Sequence, residues 1–170
     1  MTRRRTITWE DPVATFAAAA GLSGMEYLEA LRDGRLPPPP IAALLGFEPV
    51  EFEEGRAVFA AVPEEMHYNP IGLVHGGFAA TLLDSVMGCA VQTLVPAGSG
   101  YTTLEIKVNF SRPMTRDTGR VLAEGVVVHG GRTVATAEGR LVAEDSGKLL
   151  AHATTTCLIF SANGNGAAAA

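Results

Sequence analysis

The chain has 170 residues, 47% of them hydrophobic, and a formal net charge of −5. This length suits one domain with a hydrophobic core, and the composition excludes a disordered chain. The acidic balance argues against a protein that binds nucleic acid or an anionic membrane surface.

The cysteines and the basic N-terminus favour a cytoplasmic location. Cys89 and Cys157 lie in apolar runs without metal-ligand spacing, so we expect buried thiols in a reducing compartment. The basic run at residues 3–5 is followed by Thr6-Ile7-Thr8-Trp9-Glu10 rather than by an apolar stretch. A secretory or twin-arginine signal is therefore not expected.

The first part of the chain predicts two helices and a proline-rich strap. Asp11-Pro12 is typical of a helix start, with aspartate as the cap and proline at the first helical position. Ser23 and Glu26 match a capping box that begins a second helix. Pro37 to Pro40 predict a polyproline II segment.

These patterns divide the chain into three parts. Residues 1–40 are predicted to be a helical extension with its strap, and residues 41–161 the main domain. Residues 162–170 are small and low in complexity, and they predict a flexible tail.

Strands are predicted on both sides of one long apolar segment. Before it come Phe47–Phe52 and Arg56–Val62, joined by a hairpin turn at residues 53–55. After it, Leu104 to Phe110 alternate apolar and polar residues, which indicates a strand with one buried face. Three further strands are predicted at residues 120–129, 132–143 and 149–160, the first two joined by a glycine hairpin.

The apolar segment predicts the central helix. From Gly76 to Val95 it has one charged residue, Asp84, and a helix apolar on nearly every side is covered by other structure. A carboxylate there is costly unless partners stabilise it. A membrane span is not favoured, because the segment lacks a basic flank and an aromatic belt. The element order predicts an α+β fold with an antiparallel sheet against this helix.

One face of this helix combines the carboxylate with small residues. Gly77, Thr81, Asp84 and Gly88 follow helical spacing, which leaves room for a ligand or a partner chain. The alternative is that the glycines only allow close helix packing and that Asp84 makes a local cap. Both interpretations stay open on periodicity alone.

The residues around the helix start resemble a known family. Asn69, Gly72 and His75-Gly76-Gly77, followed by Asp84 within the helix, match the pattern N-x-x-G-x-x-H-G-G-x-x-x-x-x-x-D. This pattern resembles the hotdog-fold acyl-CoA thioesterases of the phenylacetate-degradation (PaaI-like) type, and the strand order agrees from residue 41 to residue 160. The resemblance implies a sheet wrapped around one long central helix.

The resemblance also implies an activity, which is hydrolysis of an acyl-CoA thioester to a carboxylic acid and free CoA. Asp84 would act as general base or nucleophile, and the Gly76 amide would polarise the thioester carbonyl. Asn69 would orient water or the carbonyl, and Thr103 would assist from the next strand. No metal and no cofactor is implied, since coenzyme A is part of the substrate.

Helix geometry predicts the assembly. Gly76 and Asp84 are eight residues apart, or ~12 Å along one helix, whereas both groups must approach one reacting carbon. Two chains related by a twofold axis solve this problem if Gly76 of one helix faces Asp84 of the other. We therefore expect a homodimer with two composite sites, and the resemblance implies further pairing into a dimer of dimers.

Other residues have weaker signals as substrate contacts. His75, Gly77 and Phe78 surround the helix start, and for His75 a capping or loop-holding hydrogen bond is the favoured interpretation. Arg112 and Arg132 lie at strand ends, where they could bind CoA phosphates or simply be solvated.

Thr103 presents a conflict. Strict alternation places it with Glu105 and Lys107, pointing away from the helix, unless it faces the dimer interface or a bulge near Tyr101 redirects it.

Two other functions remain compatible with the sequence. A non-catalytic acyl-CoA-binding module on the same fold could lack the base, so Asp84 favours the enzyme. A hotdog enzyme that hydrates enoyl thioesters would use a histidine and an acidic residue together, and His75 and Asp84 are too far apart in one chain to pair.

Overall fold

The computed structural model of the chain describes residues 2–161, and the predicted tail at 162–170 lies outside the described residues. The described part contains four α-helices and six β-strands. The helices are α1 Pro12–Ala18, α2 Gly24–Arg32, α3 Pro40–Leu45 and α4 Gly76–Gln92. The strands are β1 Phe47–Glu53, β2 Arg56–Ala61, β3 Ser99–Phe110, β4 Val121–Gly130, β5 Val134–Ala143 and β6 Leu149–Ser161.

The strands form one antiparallel sheet in the order β1-β2-β4-β5-β6-β3. Helix α4 lies across one face of this sheet and contacts all six strands. The predicted α+β layout is therefore confirmed. The order leaves β1 and β3 at the two edges, and β3 is the longer of them, with 12 residues.

The core lies between α4 and the sheet. The sheet-facing side chains of α4 are completely buried, and they are Leu82, Leu83, Val86, Met87 and Ala90. Opposite them, β4 approaches the helix backbone at Gly125, where an added Cβ would lie 2.6 Å from the carbonyl oxygen of Val86. Glycine at this position allows close packing of helix on sheet.

The N-terminal extension has the predicted caps. The Asp11 carboxylate accepts a hydrogen bond from the Val13 amide at 2.9 Å. At α2 the predicted capping box is present, with Ser23 and Glu26 bonded to each other's backbone amides. Helix α2 docks on the end of α4, where the Gly24 amide donates to the Val95 carbonyl at 2.9 Å. No residue of α1 is buried.

Several boundaries differ from the prediction, among them the start of β3, which lies at Ser99 rather than at Leu104. Pro40 begins α3 instead of ending the strap, because proline at the first helical turn is followed by five apolar residues. Helix α4 ends at Gln92 rather than Val95, since Leu94 and Val95 donate to carbonyls three residues earlier and Pro96 follows. These hydrogen bonds form a tight turn that separates α4 from β3.

Strict alternation gives the wrong orientation for Thr103, and a β-bulge, one of the alternatives considered, is the reason. In β3 the register shifts between Thr103, which pairs with Cys157, and Glu105, which pairs with Thr156. Leu104 is the extra residue, and it is 59% exposed. Thr103 therefore faces α4, together with the inward residues that follow the bulge. The bulge lies at Leu104, slightly after the position near Tyr101 at which we considered one.

Candidate active site

The first turn of α4 has one occupied and one free amide. His75 is the N-cap, and its Nδ1 atom accepts a hydrogen bond from the Gly77 amide at 2.9 Å. The expected capping role of His75 is thus confirmed. The Gly76 amide donates to no acceptor among residues 2–161. Since the start of a helix is the positive end of its dipole, this free N–H is suited to bind a negative oxygen.

Gly76 lines a cavity of about 390 Å³. Asn69, Phe110 and Arg112 also line it. A Cβ atom at Gly76 would lie 3.0 Å from the Phe110 ring, so a side chain here would meet that ring unless the ring moves. The structure thus brings together three of the predicted site residues, Asn69, Gly76 and Arg112.

Asn69 holds the loop that leads into α4. Its Oδ1 atom accepts hydrogen bonds from the Ile71 and Leu73 amides, both at 3.1 Å. Its side-chain NH₂ makes no hydrogen bond within the described residues. Because the oxygen is engaged, this NH₂ is the group that Asn69 can offer to water or to a carbonyl in the cavity.

His67 also holds the loop that leads into α4. Its carbonyl accepts from the His75 amide at 2.7 Å, and its Nδ1 atom accepts from the Glu64 amide at 3.0 Å. Burial lowers the pKa of His67, which keeps the imidazole neutral, as an accepting Nδ1 requires. Its Nε2 atom is buried and has no partner in the described part of the chain.

Asp84 lies in the middle of α4 and is half-buried. The Thr103 hydroxyl donates to its Oδ1 atom at 3.0 Å. Cys89 lies near this carboxylate, and burial, followed by the charge of Asp84, raises the pKa of the Cys89 thiol to about 12. That thiol is neutral at physiological pH and is not a nucleophile. The Asp84 carboxylate therefore stays the predicted reactive group of this cluster.

The two groups of residues do not meet within one chain. The Gly76 cavity and the Asp84–Thr103 pair are separated by eight residues of α4, or ~12 Å along the helix. Each chain thus presents a free backbone donor at one place and an oriented carboxylate at another. The open edge of β3, which contains Thr103, lies beside both of them.

The remaining predicted contacts lie elsewhere. The Phe78 ring is 3% exposed and packs against the His67 ring at a centroid distance of 4.6 Å, so its predicted substrate contact stays a prediction. Arg112 donates to the Leu149 carbonyl at 2.7 Å. Arg132 is exposed and lines a second cavity of about 330 Å³ beside the C-terminal end of α4.

Sequence reasoning missed Tyr101. This side chain packs over Gly88, one turn after Asp84, where an added Cβ would lie 2.5 Å from the phenol oxygen. Burial raises the pKa of Tyr101 well above its usual value, and the nearby thiols and Asp84 act in the same direction. The available signal was Gly88, one helical turn after the candidate base. A glycine does not show which residue packs against it.

Two further features are absent from residues 2–161. In that range no three His, Cys, Asp or Glu side chains are grouped so that they could hold a metal ion. The helices in that range are also too short or too polar to cross a bilayer.

Comparison with known proteins identifies the class. The model of the thioesterase superfamily matches residues 71–150, which include the start of α4 and Asp84. The phenylacetic acid degradation protein PaaI of Thermus thermophilus, in a mutant structure, is 32% identical with a TM-score of 0.64. The match covers 71% of this chain and 98% of that one.

Curated relatives match over shorter segments. A candidate esterase of Halobacterium salinarum is 39% identical over 69 residues, which are 39% of this chain and 44% of that protein. Acyl-coenzyme A thioesterase 13 of Mus musculus is 28% identical over 55% of this chain and 65% of that protein. The chain thus matches less than two thirds of the length of these two relatives.

The fold, the residues around the start of α4 and these similarities agree. The chain has the hotdog fold and belongs to the thioesterase superfamily, a family of thioester hydrolases.

Proposed function

We propose that this protein hydrolyses an acyl-CoA thioester to a carboxylic acid and free CoA, and that it does so as a homodimer with two composite sites. The observation that supports this most is that the backbone donor and the carboxylate lie at different places along α4. The Gly76 amide is free, while the Asp84 carboxylate is held by Thr103 at 3.0 Å. Within residues 2–161 the two groups lie ~12 Å apart along α4, too far to act together on one carbonyl.

The chemistry follows from these two groups. Asp84, as general base, takes a proton from a water molecule whose oxygen attacks the thioester carbonyl carbon. The negative charge that develops on the carbonyl oxygen is stabilised by the amide of Gly76 of the partner subunit. The C–S bond then breaks, and the proton passes from Asp84 to the leaving CoA sulfur. Direct attack by the Asp84 carboxylate, with later hydrolysis of the anhydride, is the second route.

Supporting roles fall to groups around these two. The Thr103 hydroxyl fixes one oxygen of Asp84 and leaves the other for water. The Asn69 NH₂ group would orient the water or the carbonyl. Arg112, at the rim of the Gly76 cavity, would meet the phosphates of CoA, for which guanidinium groups are suited. The site needs no cofactor other than the CoA of the substrate.

The open edge of β3 supports the dimer. It is 12 residues long, and an unpaired strand of this length is a template for pairing with another chain. Leu104 and Phe110 on this strand are both 59% exposed, which is costly for a monomer in water. Antiparallel pairing about a twofold axis would place the Phe110 end of one β3 beside the Thr103 end of the other. The Gly76 cavity would then approach Asp84 of the partner subunit.

The experiment is a turnover assay on a panel of CoA esters, in which a thiol-trapping dye reports free CoA. We expect thiol release by the wild-type protein and its loss in Asp84→Asn, with Asp145→Asn as the control for a surface carboxylate. Loss of the enoyl absorbance without thiol release would indicate a hydratase instead. Saturable acyl-CoA binding with no turnover of any ester would indicate a binding module.

A further inference from the structure

His67 lies at the base of the loop that leads into α4, and this one residue makes two hydrogen bonds there. Its carbonyl accepts from the His75 amide at 2.7 Å, and its Nδ1 atom accepts from the Glu64 amide at 3.0 Å. Just inside these bonds, an isolated antiparallel bridge joins Tyr68 to Val74. The two ends of the loop are therefore held together at His67.

The loop positions two of the groups that the proposed function uses. Asn69 lies within it, and its Oδ1 atom accepts from the Ile71 and Leu73 amides, both at 3.1 Å. Gly76, whose amide has no acceptor within residues 2–161, directly follows His75 at the end of the loop. A shift at the base of the loop would therefore move the Asn69 NH₂ group and the Gly76 amide together.

The surroundings of the His67 ring favour its neutral form. The residue is 8% exposed, and its ring packs against Phe78 of α4 at a centroid distance of 4.6 Å. Because Nδ1 accepts a hydrogen bond, the proton of the neutral ring is on Nε2, which is buried and has no partner among the described residues. A second proton, on Nδ1, would point at the N–H of Glu64. The imidazolium form would then have no acceptor at either nitrogen.

Two charges also act on this ring. Burial lowers the pKa of His67, the Glu64 carboxylate acts in the opposite direction, and Arg5 acts in the same direction as burial. Arg5 is held nearby by a hydrogen bond to the Met66 Sδ atom at 2.8 Å, whereas α4 contributes only the uncharged Phe78 ring. The imidazole is therefore neutral at neutral pH and takes up a proton only below about pH 6.5, the ordinary pKa of histidine.

We propose that His67 is a positioning residue of the active site, whose neutral imidazole holds the loop in the form in which Asn69 and the Gly76 amide act on the substrate. Protonation of the ring removes the hydrogen bond from the Glu64 amide and sets two N–H groups against each other, so the base of the loop loosens. The loop is thus sensitive to acid through a group other than Asp84.

The sign of the effect follows from the lowered pKa of His67. The folded protein binds this proton less readily than the unfolded chain does, so the free energy of unfolding should decrease as the pH falls below about 6.5. The kinetic consequence of the inference rests on the proposed thioesterase function. Its structural consequence can be observed without turnover.

The first test is a pH titration of the ¹⁵N-labelled protein from about pH 8 to about pH 5, followed by NMR. The amide resonances of Glu64, His75 and Gly76 should shift together, with one apparent pKa below the ordinary histidine value. In His67→Asn this shared step should disappear, because asparagine does not titrate. His152→Asn, which removes an exposed histidine, is the matched control and should keep the step. Loop resonances that do not follow the protonation of His67 would overturn the inference.

The second test separates the hydrogen bond from the packing of the ring. His67→Phe keeps a ring against Phe78 and removes the acceptor for the Glu64 amide. His67→Asn removes the ring and keeps an acceptor, since its Oδ1 atom is as many bonds from the backbone as Nδ1. At about pH 7.5, kcat for thiol release should fall about tenfold or more in His67→Phe, with a smaller change in KM, because the Gly76 amide is misplaced. His67→Asn should restore most of this activity, and equal kcat values in the two variants would contradict the proposed role.

The acid side of the pH profile gives the third measurement. The fraction of kcat that remains at about pH 5.5, relative to about pH 7.5, should be about twofold or more higher in His67→Asn than in the wild type. If the wild-type protein releases no thiol from any ester, the proposed function is wrong, while the NMR titration still tests His67. If esters are turned over but His67→Asn keeps the wild-type pH profile, protonation of His67 does not affect the site and the inference fails.

Discussion

The two faces of α4 are both made of small and apolar residues, yet they have different tasks. The sheet-facing side is completely buried and approaches β4 so closely that Gly125 has no room for a side chain. The other side has the half-buried Asp84, a free amide at Gly76 and the phenol of Tyr101 against Gly88. Hydrophobicity alone does not distinguish the faces. What distinguishes them is that polar groups lie on the Asp84 side, among them the Gly76 amide, which has no acceptor within residues 2–161.

The largest expected effect is on the Asp84 face. In Asp84→Asn the amide oxygen can still accept the Thr103 hydrogen bond, so the structure should be retained, but the base is lost. We expect kcat to fall about 10²–10⁴-fold. The free energy of unfolding should change by less than about 1 kcal/mol. Steady-state kinetics combined with urea unfolding would check both values, and a parallel loss of stability would remove the distinction between the faces.

For the sheet-facing side of α4 we expect a loss of stability without a loss of activity. In Gly125→Ala the added methyl group meets backbone atoms of Val86 and Met87, which cannot move independently of α4. The free energy of unfolding should fall by about 1–3 kcal/mol, the usual cost of overpacking. Activity per folded molecule should be retained. Gly130→Ala is the control, because its Cβ would meet side-chain atoms alone, the flexible end of Leu94 at 3.0 Å and Val127 at 3.9 Å.

Thr103→Val tests the contact between the bulged strand and the base. Valine keeps the volume and removes the hydrogen bond to Asp84. Hydrogen bonds to charged groups contribute about 1.5–3 kcal/mol, so kcat/KM should fall by about one order of magnitude or more. Thr103→Ser should restore most of the activity. If Thr103→Val were as active as Thr103→Ser, the Thr103 hydroxyl would have no role beyond packing.

The smallest effect is expected at Thr81, which lies on the Asp84 face but has its own partner. Its hydroxyl donates to the Gly77 carbonyl at 2.9 Å. In Thr81→Ala the loss of this local bond is offset by the higher helix propensity of alanine, so the free energy of unfolding should change by no more than about 0.5 kcal/mol. Activity should remain within about twofold in the turnover assay. A larger loss would extend the site toward the start of α4.

Much of the fold could be predicted because its signals are local. The caps at Asp11 and Ser23 are encoded within a few residues, and the turns between the last three strands give the strand boundaries to within one or two residues. The motif around His75 likewise located the start of α4 and the carboxylate within it. These features depend on neighbours in sequence.

The remainder depends on contacts between distant segments. The bulge at Leu104 is set by the pairing of β3 with β6, so strict alternation gave the wrong side for Thr103. The burial of Phe78 results from its packing against His67, and Tyr101 approaches Gly88 only after β3 has crossed α4. Nothing in the local sequence marks these pairs, since each one joins residues from two elements.

The central claim, that each site combines Asp84 of one subunit with the Gly76 amide of the other, can be tested with two inactive variants. Asp84→Asn removes the base. Gly76→Pro removes the amide N–H while keeping a residue that is favoured at the first helical position, and His75 already has the extended backbone that precedes proline. Gly76→Ala, which keeps the N–H, is the control for the contact with Phe110.

The decisive measurement is the activity of the two variants after they are unfolded together and refolded as a mixture. In a mixed dimer one of the two sites contains both intact groups, so random pairing should restore about one quarter of the wild-type activity. If both groups acted within one chain, every chain in the mixture would have a defect, and the mixture would remain as inactive as its components.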